Sequence, residues 1–198
     1  MKETAIPLWK NKNIESSLTV CACKDGDSNR PVVLVVPGGG YGAVCRSSEG
    51  DPVAARFSSL GFRTFILHYR VSPNRYPAPQ HDITRAIRLI RYHAAEWGVL
   101  PDQIAVCGFS AGGHLCASAG ILGDEIEFKK EDAADKMSSR PDAMILCYPV
   151  ITSGKYAHDG SFQNLLGKDY SARKKRIFSG APCYSGNMSG FYLAYDGR

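Results

Sequence analysis

The stretch CGFSAGGH, Cys107–His114, joins two patterns of different period, and its reading decides the fold. Before it, Ile104–Cys107 (IAVC) is a short apolar run of the kind that forms a buried strand. After it, Ala111–Leu122 is a run of small residues, long enough for a helix and slim enough to pack closely on a sheet. Between them, Gly108-Phe109-Ser110-Ala111-Gly112 satisfies G-x-S-x-G in the strand-to-helix context that a nucleophile turn requires. At such a turn the serine takes a strained backbone conformation, and glycines at 108 and 112 remove the Cβ atoms that would clash. The turn lifts the Ser110 hydroxyl above the sheet, and the free N–H groups of the following helix face an oxyanion forming there. Glycine and serine are common, so the bare pattern is weak. The strand before it and the helix after it favour a candidate nucleophile over a structural glycine turn.

Strand and helix alternate on both sides of this turn. Leu18–Cys23 (LTVCAC) alternates apolar with small or polar residues, as an edge strand does. Pro31–Val36 (PVVLVV) is a continuous β-branched run, as expected of a strand buried on both faces. Asp51-Pro52 reads as an N-cap followed by proline at the first helical position, opening a helix through Leu60 that Gly61 closes. Arg63–Tyr69 (RTFILHY) is the next strand. The loop VSPNRYPAPQ ends at His81-Asp82, where a helix begins with Ile83, Ala86, Ile87, Ile90, Ala94 and Trp97 on one stripe and Gly98 after it. A polar segment, Gly123–Pro141, leads to a strand at Ala143–Tyr148. This order predicts an α/β domain with a mainly parallel sheet, right-handed crossovers and helices on both faces.

A second glycine cluster, VVPGGGYG at Val35–Gly42, follows the first buried strand directly. Its glycines let the backbone approach a ligand and turn N–H groups toward it. It lacks the GK[ST] ending of a phosphate-binding loop and the G-x-G-x-x-G spacing of a dinucleotide site. A loop that supplies the second oxyanion donor fits better, because a serine nucleophile already requires one.

PGGGY, EGDPVA, LHYRVSP, YPAPQHDITRAIRLIRYHAAEWG and GFSAGGHLCAS, in this order, resemble the α/β-hydrolase esterases of the acetyl-esterase, hormone-sensitive-lipase-like group. The resemblance runs from about Pro31 to Gly167, with YPVITSGKYAHDGSFQNLLG as its last block. It implies an α/β-hydrolase fold and a serine carboxylic-ester hydrolase acting on small, acetyl-type esters, sugar esters among them. Ser110 is then the nucleophile, and the amides of Ala111 and of Gly39 or Gly40 form the oxyanion hole. Pro37 stands where many relatives carry histidine. No cofactor and no metal is implied. Tyr41 has two readings, a wall of the acyl pocket or simple loop packing. Arg70 and Asp82 read better as a buried pair, or Asp82 as a helix cap, than as active-site groups. His114 is expected to pack against the sheet. His158-Asp159 falls where the family has its variable cap and is not expected to be the catalytic pair.

Composition narrows the class. A chain of 198 residues with 44% hydrophobic and 22% charged residues fits one domain with a substantial core. The net charge of +5 owes much to one run, Arg173-Lys174-Lys175-Arg176, without the aromatic interleaving of a nucleic-acid site. The expected partner is a small-molecule ester, with neither nucleic acid nor membrane involved; the oligomeric state is not legible. The N-terminal stretch has no apolar signal region, and the seven cysteines lack metal-like spacing, so reduced thiols and a cytoplasmic location are expected.

The end of the chain breaks the pattern. A serine hydroxyl needs a base and an orienting acid, and in this fold both follow the serine in sequence. After Leu166 there is no histidine, and Asp196 is the only acid near the end. SGAPCYSGNMSGFYLAYDGR, Ser179–Arg198, shows no strand or helix period. One synonymous coding of Ile177–Arg198, read one base later, spells FSLEHHVTPEICPVFIWHTMED, which has the turn, apolar strand and acid loop that the resemblance calls for. The expected organisation is therefore a core at 1–170 and an out-of-frame tail at 171–198, the shift falling between about Asp169 and Ile177. The alternative function is a catalytically dead remnant or non-catalytic binding module, since triad acid and base are absent from the residues present.

Overall fold

The computed structural model describes residues 4–21, 29–123, 126, 130–152, 157–168 and 191–195. The strands are β1 (Thr4–Pro7), β2 (Ser17–Val20), β3 (Arg30–Val36), β4 (Arg63–His68), β5 (Val99–Phe109), β6 (Ala143–Cys147) and β7 (Phe191–Tyr195). The helices are α1 (Arg46–Glu49), α2 (Asp51–Ser59), α3 (Ala78–Tyr92), α4 (Ala94–Trp97), α5 (Ala111–Leu122) and α6 (Asp159–Leu166), with a 3₁₀ turn at Ala133–Lys136.

The strands form one sheet in the order β1-β2-β4-β3-β5-β6-β7. Its centre, β4-β3-β5-β6, is parallel, as the βα alternation predicts, and β1, β2 and β7 run antiparallel to their neighbours. Alternate residues of the central strands enter two apolar layers. Val32, Leu34, Val36, Ile104 and Val106 join Ile83, Ile87, Ile90 and Leu115 of α3 and α5. On the other face Val33, Val35, Ile66 and Cys107 meet Val53, Ala54 and Phe57 of α2. Both faces are covered, which is why the central strands read as continuous apolar runs. Among the described residues no helix is long and apolar enough to cross a membrane.

Several expectations change. The strand expected at Leu18–Cys23 is Ser17–Val20, and it is not the edge; β1 pairs outside it, while Ala22 and Cys23 lie outside the described residues. The third helix opens at Ala78, inside the proline-rich stretch. Proline in a first turn loses no hydrogen bond, because that N–H has no intrahelical acceptor. Asp82 is thus inside the helix and not its cap. The stripe ending at Trp97 is two helices, α3 and α4, with His93 between them, and left-handed Gly98 closes the second. In the tail, Phe191–Tyr195 forms a strand on β6, against the expectation of none; the rest of 171–198 lies outside the described residues.

The buried pair expected of Arg70 and Asp82 is present and larger than a pair. Asp82, fully buried, accepts hydrogen bonds from the Trp9 indole (2.7 Å), the Ser16 hydroxyl (3.2 Å), and the backbone N–H (2.8 Å) and guanidinium (2.8 Å) of Arg70. It ties the N-terminal segment and the exit of β4 to α3. On the same helix Arg85 binds Asp132 and Asp135, both at 2.7 Å, bringing the polar 130s segment over α3. Asp82→Ala leaves the Arg70 charge and the Trp9 donor without their acceptor. It is expected to lower unfolding free energy by about 3–5 kcal/mol in urea titrations; a change below about 1 kcal/mol would contradict the account.

Candidate active site

Ser110 follows the last residue of β5 and precedes the first of α5, with φ 51° and ψ −117°. Non-glycine residues rarely take a positive φ, and here the surroundings hold the conformation in place. The Ser110 N–H donates to the Cys147 carbonyl (3.0 Å), and the Ser110 carbonyl accepts from His114 (3.1 Å) and Val150 (3.0 Å). The expected strand, sharp turn and helix are all present. The glycine requirement is steric: a Cβ on Gly112 would overlap the Val36 carbonyl oxygen and stand 2.5 Å from that of Pro37. Ala111, the first residue of α5, is among the N-terminal amides that have no intrahelical acceptor.

The glycine loop leaves β3 beside this turn, since Val36 pairs with Gly108. The carbonyls of Pro37 to Gly40 each accept a hydrogen bond from the protein. Pro37 accepts from the Tyr69 hydroxyl (2.8 Å), Gly38 from Cys45 (2.9 Å), Gly39 from Gly42 (3.0 Å) and Gly40 from Asn164 (2.9 Å). The amides of Gly39 and Gly40 have no acceptor among the described residues. Gly39 has φ 127°, and a Cβ there would overlap the Ala43 carbonyl, so glycine is required. Fixed carbonyls and free amides are the condition for a preorganised anion-binding loop.

Tyr41, at φ 58° and only 2% exposed, points inward. Its hydroxyl lies 2.6 Å from His114 Nδ1, and its ring meets Tyr69 edge to face with centroids 6.1 Å apart. The side chain packs against His114 and Tyr69. His114 is buried as expected, and burial pushes it down to about 4, so it is neutral under ordinary conditions. His158 caps α6, its ring accepting from the Ser161 N–H (3.3 Å) and lying 2.8 Å from the Ser161 hydroxyl. Asp159 is the first residue of that helix. Sequence reasoning missed Asn164, Tyr148 and Glu49. Glu49 accepts from the Gly38 N–H (2.7 Å) and from the Tyr148 hydroxyl (2.8 Å). These contacts join distant segments, so no local pattern announces them.

A mainly parallel sheet with a strained serine turn and a glycine loop at one edge defines an α/β hydrolase. Comparison with known proteins makes the assignment particular: the BD-FAE family model matches residues 18–184, and the chain belongs to that family. It is 38% identical over 157 residues to Endo-1,4-beta-xylanase B of Butyrivibrio fibrisolvens, covering 77% of this chain and 24% of that one. It is 30% identical over 151 residues to the Acetylxylan esterase of Xylanibacter ruminicola, covering 76% and 29%. Among solved structures, the acetyl ester-xyloside bifunctional hydrolase from Caldicellulosiruptor lactoaceticus superposes with a TM-score of 0.80 at 38% identity, covering 89% of this chain and 68% of that one. The matched region is thus only about a quarter of the length of the first two relatives. The relatives' names are those of esterases and hydrolases.

The depressed His114 has a thermodynamic consequence. The unfolded chain takes up a proton at this residue near its ordinary value of 6.5, and the folded protein does so only near 4. Its contribution to stability is complete above pH 6.5 and is lost as pH falls toward 4. His114→Gln is expected to flatten the decline in urea midpoint between about pH 7 and pH 4.5. Identical declines in parent and variant would refute this role.

Proposed function

We propose that this site is that of a serine carboxylic-ester hydrolase for small, acetyl-type esters, carbohydrate esters among them. The observation that carries the reading is the strained Ser110 turn beside the amides of Gly39 and Gly40, unpaired among the described residues, and the first-turn amide of Ala111. In this reading the Ser110 Oγ attacks the ester carbonyl as a base takes its proton. The carbonyl oxygen becomes an oxyanion facing the amides of Ala111 and of Gly39 or Gly40. Collapse expels the alcohol, which receives the proton, and leaves an acyl-serine; water then attacks, and the carboxylic acid departs. Backbone amides and a base suffice for these steps, so the reading calls on no cofactor. The names of the xylan-directed relatives support acetylated sugars as substrates.

A second reading concerns the chain as written, a non-catalytic remnant whose residues 171–198 are read out of frame. It is supported by the direction of β7. Tyr195 pairs with Ala143, while Cys147 pairs with both Phe191 and Phe109, next to Ser110. The last described residue before Asp196 therefore stands about 13 Å along the sheet from the serine edge. His114 and His158, meanwhile, are bound to Tyr41 and Ser161.

The two readings are separated by 4-nitrophenyl acetate and acetylated xylo-oligosaccharide turnover. A frame-restored product is expected to hydrolyse them, with Ser110→Ala abolishing turnover, and the 198-residue chain to be slower by several powers of ten. Retained activity in Ser110→Ala overturns the hydrolase assignment. Equal activity in the two chain forms overturns the remnant reading, as does DNA that shows no family-like frame at a one-base offset.

A further inference from the structure

An oxyanion site built from Gly39, Gly40 and Ala111 takes its donors from two separate segments, so something must fix one segment against the other. The sheet does this only as far as Val36, paired with Gly108. Beyond Val36 the glycine loop leaves the ladder, and its first amide to find a partner is Gly38, which donates to Glu49 Oε2 at 2.7 Å. The other oxygen of that carboxylate accepts from the hydroxyl of Tyr148 at 2.8 Å, across 99 residues of sequence. Tyr148 directly follows Cys147, whose carbonyl accepts the Ser110 N–H. A closed circuit results, running from Gly38 through Glu49, Tyr148 and Cys147 to Ser110. A Cβ built on Gly38 would lie 2.9 Å from both Glu49 Oε2 and Ser110 Cβ, so carboxylate and serine flank the same backbone point.

We propose that Glu49 is a positioning residue, a two-pronged clamp that sets the oxyanion loop against the serine turn. The inference rests on the hydrolase reading above and adds to it the residue that holds the hole in register. Three further features fit a clamp. Glu49 ends α1, whose own start is tied to the loop because Cys45 donates to the Gly38 carbonyl (2.9 Å). Tyr148 is 48% exposed and has φ 35°, an unfavourable backbone for a tyrosine, and its hydroxyl is nevertheless held by Glu49. Finally, a carboxylate near a developing oxyanion repels it. Glu49 therefore cannot act by charge stabilisation; it acts through geometry, with a donor on each of its oxygens.

This reasoning separates two substitutions. Glu49→Gln keeps both links, since its amide oxygen accepts from Gly38 and its amide N–H donates to the Tyr148 oxygen. Glu49→Ala breaks both. With 4-nitrophenyl acetate and the frame-restored product, normalised to folded protein, Glu49→Ala is expected to lower kcat at least ~10-fold with KM within about threefold. Glu49→Gln is expected to return kcat to within about fivefold of the parent. In the 198-residue chain labelled with ¹⁵N-glycine, the Gly39 and Gly40 amide resonances are expected to move in Glu49→Ala and to stay near their parent positions in Glu49→Gln. A purely structural glutamate would lower melting temperature and leave normalised kcat and these resonances alone. Turnover of Glu49→Ala within about twofold of the parent, or unmoved resonances, overturns the clamp. If the parent product hydrolyses nothing, the hydrolase reading falls by itself, and the resonances alone decide the clamp: movement supports it, and its absence overturns it.

Discussion

Helix α5 approaches the end of β3 so closely that only hydrogen can occupy the side-chain position of Gly112, beneath the carbonyls of Val36 and Pro37. Much of the site's geometry follows from that contact. It brings the first turn of α5 against the exit of β3, so the free amides of the helix start and of the glycine loop share one edge of the sheet. It also forces the chain between Phe109 and Ala111 into a turn tight enough to drive Ser110 to φ 51°. The strain, of order 1–3 kcal/mol for such a residue, is offset by three backbone hydrogen bonds on Ser110 and by the apolar layers around α5.

This explains why the centre of the fold was legible in sequence. Strands β3, β4, β5 and β6 are short apolar runs because helices cover both faces, and the glycines of CGFSAGGH are required by contacts within a few residues of the turn. Where stability comes from distant partners, local pattern misleads. β1 becomes the outermost strand by pairing with β2. Helix α3 has its outward arginine buried because Asp132 and Asp135 meet it from the 130s segment. Asp82, at the head of an apolar stripe, read as a partner of Arg70 or as a cap; the pair forms, and its acceptors serve Trp9 and Ser16 as well. The same division holds at the site. Ser110, Gly39, Gly40 and Ala111 were visible in their motifs, whereas Glu49, Tyr148 and Asn164 enter through contacts that no sequence period encodes.

The polar arrangement of the glycine loop also has a direction. A loop with both carbonyls and amides unpaired has no preferred ligand sign and can flip its peptide planes. Here Tyr69, Cys45, Gly42 and Asn164 hold the carbonyls of Pro37 to Gly40, and of the Gly38 to Gly40 amides only that of Gly38 is bound among the described residues, by Glu49. The rings of Tyr41 and Tyr69 lie below, and burial raises both phenols well above their ordinary range, so they remain neutral donors. His114 beside Tyr41 is neutral as well, and both oxygens of Glu49 have donors.

Strand direction sets what each end of the sheet can contribute. Chemistry in a parallel α/β sheet gathers at the C-terminal ends of the strands, because every connection leaving that edge is a loop free to carry side chains. β3, β5 and β6 all deliver their exits to the Ser110 edge: the glycine loop, the serine turn and Tyr148. β7 enters the sheet at that edge, with Phe191 opposite Cys147, and leaves at the other, with Tyr195 opposite Ala143. The chain therefore leaves β7 at the edge away from Ser110. From Leu166 onward the sequence supplies no histidine. A parallel strand in the same place would reverse this geometry, delivering its exit loop beside Tyr148.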